Sequence, residues 1–246
     1  MPPETDARVA RANQLIDDEP TAAHPRGPFG RMEQLCSALS RHLPARGVGV
    51  SVLTEDTYSG GTVAASDAVS RRLDELQFTL GEGPCIDAYA TRRPVFEPDL
   101  FGHGSSRWPG YAAAAQDEGV RAVFAFPLTI GTARAGALDV YRTQPGPLTK
   151  GAVSQAMTFA EIAMGLLLDT QAESTTGSER SADLDDALAY RLEVYQAQGM
   201  VMVDLGVSLD EAMVRLRAHA YANDRSLADV ARDVVQGSLR MSQDNP

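Results

Sequence analysis

The chain has 246 residues, 43% of them apolar and 6% aromatic, and its formal net charge is -11. This length suffices for one large or two modest domains. The acidic charge argues against a protein that coats nucleic acid or an anionic membrane by bulk electrostatic attraction. Lys150 is the sole lysine, so contacts with a polyanion would use the planar guanidinium groups of arginine.

The two cysteines, Cys36 and Cys85, do not have the spacing of a disulfide framework or of a zinc site. We therefore expect neither a metal nor another cofactor. The N-terminal residues form no apolar signal core, and no run approaches the roughly 20 apolar residues that a membrane helix needs. These features predict a cytoplasmic protein without membrane contact.

Residues 1–26 are polar and contain several prolines, which predicts a flexible lead-in with at most one short helix. The next 144 residues, 27–170, mix helical spacing with short β-branched runs. We predict helices at 31–42, 67–76, 86–90, 108–118 and 149–169, and strands at 48–53, 62–66, 94–97, 120–128 and 135–141. Helices around antiparallel strands indicate an α+β sandwich.

A composition break follows this domain. Residues 173–181 contain only polar, charged and glycine residues, so we predict a linker over 171–182, with a continuous helix as the alternative. Residues 183–241 show three amphipathic stretches. The second and third begin with the capping sequences 208–211 and 226–229, which predict an all-α three-helix bundle.

The sequence lacks the common catalytic motifs: a phosphate-binding P-loop, an HExxH zinc motif and a Gly-x-Ser-x-Gly nucleophile elbow. The four histidines are scattered along the chain. We therefore do not expect an enzyme.

Four segments of the bundle carry a recognisable pattern: Gln196-Ala-Gln-Gly-Met200, Asp210-Glu-Ala212, Leu216-Arg-Ala-His-Ala220 and Leu227-Ala-Asp-Val-Ala231. In this order they resemble the ANTAR family of RNA-binding antitermination domains. The resemblance implies binding to paired short hairpins in nascent leader transcripts, which prevents a terminator from forming. Since proteins read RNA sequence mainly at unstacked loop bases, polar donors beside small residues are the expected contacts: Gln196, Ala197, Gln198, Gly199, Arg215, Arg217, His219 and Arg225.

One position departs from the family, because many members carry lysine where this chain has Gln198. The loss of a phosphate anchor predicts weaker RNA binding with a flatter salt dependence. The bundle is also acidic, with six arginines against ten carboxylates from Ser181 to Met241. For Gln198, Arg217 and His219 the alternative is an ordinary solvated helix face. For Ala197 and Gly199 it is tight helix packing.

A second set of motifs lies within residues 30–170 and resembles a GAF domain in its order: Gly81–Cys85, Trp108–Pro109, Gly119–Arg121, Phe126–Leu128 and Gly136–Tyr141. The resemblance implies a pocket for a small molecule between sheet and loops, or a domain that only mediates dimerisation. Asp87, Arg107 and Trp108 are candidates for the pocket rim. Cys85 is expected to be a small buried hydrophobic residue, with a redox role as the alternative.

The helices predicted at 150–169 and 184–205 offer apolar stripes suited to a parallel coiled pair, which predicts a homodimer. A ligand that favours one arrangement of the sensor would then set the spacing of two bundles. The rival function is a dimeric signalling protein whose bundle binds a protein and not RNA. The acidic charge and Gln198 favour this rival.

Overall fold

The computed structural model describes residues 3–20, 28–53, 60–175 and 182–241. An antiparallel five-stranded sheet forms the centre of the N-terminal domain, with strand order β2-β1-β5-β4-β3. The strands are β1 Gly47–Leu53, β2 Gly60–Ala65, β3 Val95–Glu97, β4 Ala122–Ile130 and β5 Ala133–Arg142. β5 pairs with β1 on one side and with β4 on the other, so β5 is the middle strand of the sheet.

Three helices cover one face of this sheet: α1 Pro3–Asp17, α2 Pro28–His42 and α7 Lys150–Thr175. The larger core of the domain lies beneath them, where Leu35 and Leu39 of α2 and Phe159 of α7 are fully buried. Thr149 begins α7, because its hydroxyl accepts a hydrogen bond from the amide of Ala152 at 3.2 Å.

The opposite face carries α3 Ala68–Leu80, α4 Pro84–Thr91, a π-helical turn Leu100–Gly104, α5 Ser105–Arg107 and α6 Pro109–Asp117. Asp67 caps α3, since its side chain accepts from the amides of Val69 and Ser70. Gly81 ends α3 with φ of 72°, a left-handed conformation that glycine adopts without the Cβ penalty. This second face holds buried residues of the sequence motifs, among them Cys85, Trp108 and Tyr141.

The C-terminal domain is a bundle of α8 Ala182–Leu205, α9 Leu209–Ala222 and α10 Leu227–Val235. The capping residues act as predicted: the Ser208 hydroxyl accepts from the amide of Glu211, and the Ser226 hydroxyl accepts from the amide of Asp229. The bundle has its own apolar core, built on Val201, Leu216 and Val230. It lies against the N-terminal domain, where α9 and α10 contact α3 and α8 contacts β2.

The predicted fold class, an α+β sandwich followed by a helical bundle, is confirmed. The lead-in prediction needs correction, because α1 is a 15-residue helix whose Ala12 and Ile16 are buried against the larger core. The side chain of Arg8 also donates to the Ser154 hydroxyl at 2.8 Å. Residues 21–26 of the lead-in lie outside the described residues.

Two other boundaries differ from the sequence prediction. α3 continues through Leu80, whereas the sequence predicted that this helix ends at residue 76. Phe78 and Thr79 in the additional turn are both buried. α7 continues to Thr175 and therefore covers the first residues of the predicted linker. Residues 176–181 lie outside the described part of the chain.

The helix predicted at 149–169 passes a length and composition test for a membrane span. Residues Lys150–Asp169 have a mean hydropathy of 1.4 over a membrane-length window, so this helix is long and apolar enough to cross a membrane by composition alone. Its buried side includes Phe159, Ala163 and Met164, which pack in the sheet core. A core helix passes the same test, and these contacts explain its apolar composition.

Candidate nucleic-acid interface and sensor interior

The glutamine-rich segment of α8 is only partly accessible. Gln196 is exposed, whereas Ala197 is fully buried and Gln198 is 2% exposed. The Gln198 side-chain amide donates to the carbonyl of Leu209 at 2.8 Å. Gln198 thus joins α8 to the first residue of α9, and the structure places it in the bundle and not on a solvated face.

Gly199 has a different environment from its neighbours. A Cβ placed there would meet no atom of the described residues within 4 Å. Tight helix packing, the alternative for this glycine, therefore does not account for it. Ala197 does pack within the bundle core, so the packing interpretation holds for the alanine and the open-surface interpretation for the glycine.

The basic residues of α9 and the following turn point to different partners. Arg215 forms an ion pair with Glu211 at 3.1 Å, and Arg225 forms one with Asp233 at 2.7 Å. His219 is half-buried. Arg217 is directed at the N-terminal domain, where its Nε donates to the carbonyl of Phe78 at 3.1 Å. The predicted RNA contacts therefore do not form one continuous face in this arrangement.

Sequence reasoning missed an exposed apolar stripe on α9. Val214 and Tyr221 are 59% and 56% exposed, and Ala218 between them is also exposed. Their spacing places all three on one side of the helix, one turn apart. The signal was present in the sequence, because assigning Met213, Leu216 and Ala220 to the core leaves these positions outside. An accessible tyrosine ring there can stack on an unpaired base.

The three predicted rim residues of the N-terminal domain do come together. The Asp87 carboxylate accepts from Arg107 at 2.7 Å and from the Trp108 indole at 3.2 Å. The Arg107 guanidinium also lies 4.4 Å from the centre of the Trp108 ring. Trp108 is 2% exposed, so its ring belongs to the core. These contacts hold α4 against α5 and the start of α6, and the polar groups of the three residues bind one another.

A buried polar cluster lies between α3 and the sheet. It joins Asp74 and Gln77 of α3 to Asp139 and Tyr141 of β5. The side-chain amide nitrogen of Gln77 donates to Asp139 at 2.8 Å, and its side-chain oxygen accepts from the backbone amide of Cys85 at 2.8 Å. The Tyr141 hydroxyl donates to Asp74. Gly49 makes room for this cluster, since a Cβ there would lie 2.0 Å from a carboxylate oxygen of Asp74.

The cluster has unusual acid–base properties. Burial raises the pKa of Asp139 to about 7, although hydrogen bonds from Gln77 and Tyr141 oppose the change. Burial, followed by the nearby charge of Asp139, raises the pKa of Asp74 well above its ordinary value. The site can therefore hold a proton at neutral pH. Sequence analysis missed it because Asp74 on an amphipathic helix is typical of a solvated position.

Cys85 borders this cluster and is fully buried. Burial, with the charges of Asp139 and Asp74, raises the pKa of its thiol well above the ordinary value. The thiolate needed for redox chemistry is therefore disfavoured, and the expected structural role is confirmed. Among the described residues, no group of three or more histidine, cysteine or acidic side chains is arranged to hold a metal ion.

Comparison with known proteins divides the chain in two. A GAF-domain family model matches residues 31–167, and an ANTAR-domain model matches residues 182–235. No curated protein gives a significant match. The GAF domain of a phosphoenolpyruvate-protein phosphotransferase from Coxiella burnetii is 14% identical, with a TM-score of 0.54 over 70% of this chain and 96% of that one. Its counterpart from Acinetobacter is 13% identical, with a TM-score of 0.51 over 71% and 99%. At these identities the likeness shows the fold.

Proposed function

The chain belongs to the GAF–ANTAR family, and on that premise we propose that it is an RNA-binding transcription antitermination regulator. Its bundle binds paired hairpins in nascent leader RNA, and its GAF domain, residues 31–167, senses a small molecule or another signal. The observation that carries the proposal is the ANTAR match over 182–235, which spans all three helices of the bundle. We place this regulator in the cytoplasm, as a homodimer without enzymatic activity.

The RNA surface that we propose combines the stripe of α9 with the open part of α8. Tyr221 supplies a ring for base stacking, which contributes about 1–3 kcal/mol per base in single-stranded sites. Arg215 supplies a cation one turn from this stripe, and its exposed pair with Glu211 is weak enough to exchange for a phosphate. Gln196 supplies an amide, and Gly199 leaves space for a base.

The remaining predicted contacts act indirectly or only after they leave another partner within the protein. Ala197 and Gln198 shape the surface from within, because both are buried. Arg225 and His219 lie at the end of α9, where Arg225 must leave Asp233 before it can reach a phosphate. Arg217 can contact RNA only after it leaves the carbonyl of Phe78.

The sensing element that we propose is the interior formed by Asp74, Gln77, Asp139 and Tyr141, for a small molecule that exchanges hydrogen bonds with buried carboxyl groups. The support is that this group joins α3 to the central strand β5. A ligand that changes these bonds would move α3, which the bundle contacts. Beside this interior, the contacts of Asp87 with Arg107 and Trp108 hold α4 against α5 and the start of α6.

Fluorescence anisotropy with a labelled pair of leader hairpins tests the RNA surface. We expect Tyr221→Ala to weaken binding about 10-fold or more, the equivalent of at least one lost stacking contact. Tyr221→Phe is the matched control, since it keeps the ring and should bind as the wild type does. Equal affinity for all three chains would contradict the proposed surface.

A second candidate function has its own support. Val203 of α8 and Leu209 of α9 are 72% and 51% exposed, in addition to Val214 and Tyr221 of the α9 stripe, and large exposed apolar side chains are typical of a protein-binding surface. In this alternative the bundle binds a protein partner and not RNA. It predicts that the hairpin pair does not bind to the wild type or to any variant, whatever the salt concentration.

A further inference from the structure

The bundle and the N-terminal domain meet at the end of α3. The last carbonyl groups of a helix have no partner within the helix and need outside donors. In α3, the backbone carbonyl of Gln77 accepts from the backbone amide of Gly81 at 2.9 Å. The backbone carbonyl of Phe78 accepts from the Arg217 side chain at 3.1 Å. Arg217 thus supplies an outside donor to the C-terminal turn of a helix that lies 139 residues earlier in the chain.

The guanidinium group is also seated against Gly81. A Cβ at this glycine would lie 2.6 Å from Nη1 and 2.9 Å from Cζ of Arg217. The negative end of a helix dipole attracts a cation placed at this point. The absence of a side chain at Gly81 therefore allows a close, directed contact, and not a loose encounter of two surfaces.

We infer that this contact is autoinhibitory: the C-terminal turn of α3 is a docking site for Arg217, and RNA competes with it for the same guanidinium group. The inference rests on the proposed RNA-binding function. A guanidinium whose Nε–H is bonded to the Phe78 carbonyl and whose Nη1 lies against Gly81 is not available in full to a hairpin bound on the α9 stripe. Docking and full RNA contact by Arg217 are therefore mutually exclusive, and each weakens the other by the same factor.

The same turn of α3 closes the sensor interior. Gln77, the residue before Phe78, bonds to both Asp139 and the amide of Cys85. A change of bonding in the interior that shifts Gln77 must shift the adjacent carbonyl that holds Arg217. The turn therefore gives the sensor a direct mechanical connection to the RNA surface.

Two glycine substitutions isolate the docking contact. Gly81→Ala adds a Cβ in the space that Arg217 occupies, and Gly119→Ala is its matched control. Both glycines end helices of the same domain with φ of 72° and 73°, but a Cβ at Gly119 meets no described atom within 4 Å. The two variants therefore share the backbone strain and differ in the displacement of Arg217. Neither residue belongs to the proposed RNA surface.

The first readout needs no RNA. Phenylglyoxal modifies accessible arginines, and peptide mass spectrometry compares Arg217 with exposed Arg240 of the same full-length chain. We expect Arg217 of the wild type and of Gly119→Ala to react about fivefold more slowly than Arg217 of Gly81→Ala. Equal reactivity of Arg217 in all three chains would overturn the docking inference, and binding of hairpins by the wild type would still uphold the proposed function.

The second readout is the affinity of the same three chains for the labelled hairpin pair. We expect Gly81→Ala to bind about fivefold more tightly than the wild type, and Gly119→Ala to match the wild type. If Gly81→Ala releases Arg217 but binds RNA no better than the wild type, autoinhibition is refuted. If none of the chains binds RNA although Arg217 is released, the proposed function itself is refuted, and the inhibition with it.

Discussion

The buried carboxyl group of Asp139 predicts an unusual dependence of sensor stability on pH. Its pKa is raised from 3.8 to about 7 in the folded chain, so the folded chain retains a proton that the unfolded chain has released. The contribution of Asp139 to stability must therefore fall as pH rises between these two values and level off above the upper one. At about 1.4 kcal/mol per pH unit, Asp139 alone accounts for a loss of about 2 kcal/mol between pH 5.5 and pH 8.5, and Asp74, whose pKa is also raised by burial, adds to the fall.

Asp139→Asn removes this titration while it keeps an acceptor for the Gln77 amide. We expect the variant to have a shallower fall of stability with pH than the wild type, the remainder coming from Asp74, and to exceed the wild type in stability by about 2 kcal/mol at pH 8.5. Urea unfolding at three pH values measures the effect. Trp108, the single tryptophan, is buried in the N-terminal domain, so its fluorescence reports on that domain and not on the bundle.

Asp67→Asn is the control, because the pKa of this N-cap carboxylate is lowered. Burial alone would raise it, but hydrogen bonds from Ser70 and Ser66 and the charge of Arg46 prevail. Its contribution is complete above its unfolded pKa and lost only in acid, so the slope between pH 5.5 and pH 8.5 should not change. A wild-type chain that becomes more stable as pH rises, or an Asp139→Asn slope equal to that of the wild type, would refute the reasoning.

Three further substitutions and one control, Gln196→Ala, test the packing of the two domains by urea unfolding. Gln198→Ala leaves the Leu209 carbonyl without its donor and should destabilise the bundle by about 1–3 kcal/mol, whereas Gln196→Ala, at an exposed position, should change it by less than about 0.5 kcal/mol. Gly136→Ala places a Cβ 1.8 Å from the backbone oxygen of Ser51 and should destabilise the sensor by about 3 kcal/mol or more. Gly165→Ala, in the middle of α7 with no described atom within 4 Å of the new Cβ, should instead stabilise it by about 1 kcal/mol. A Gly136→Ala variant that is more stable than the wild type, or a Gly165→Ala variant that is less stable, would contradict the packing described around that glycine.

Local signals in the sequence were sufficient to predict most elements. The short β-branched run before Leu53 predicted β1, and Asp67, Ser208 and Ser226 cap the helices that they were expected to begin. These features depend on neighbours within four residues. They could therefore be inferred without knowledge of the tertiary structure.

The roles of individual site residues depended on distant contacts and could not be predicted in this way. Gln198 has the polarity of a surface residue, and only the approach of α8 to the start of α9 buries it against Leu209. Asp74 lies on an amphipathic helix, and its burial depends on Gly49 of β1. Arg217 stands in a family motif, yet its partner Phe78 belongs to the other domain.

The central claim, that the bundle binds RNA under control of the sensor, is tested most directly by a hairpin titration. A gel shift at two salt concentrations would compare the wild type with Gly81→Ala, using paired hairpins from leader transcripts near the gene of this protein and each hairpin alone. We predict a salt-sensitive shift that requires both hairpins and is stronger for Gly81→Ala, because the released Arg217 adds a phosphate contact. No shift with either chain at the lower salt concentration would contradict the account.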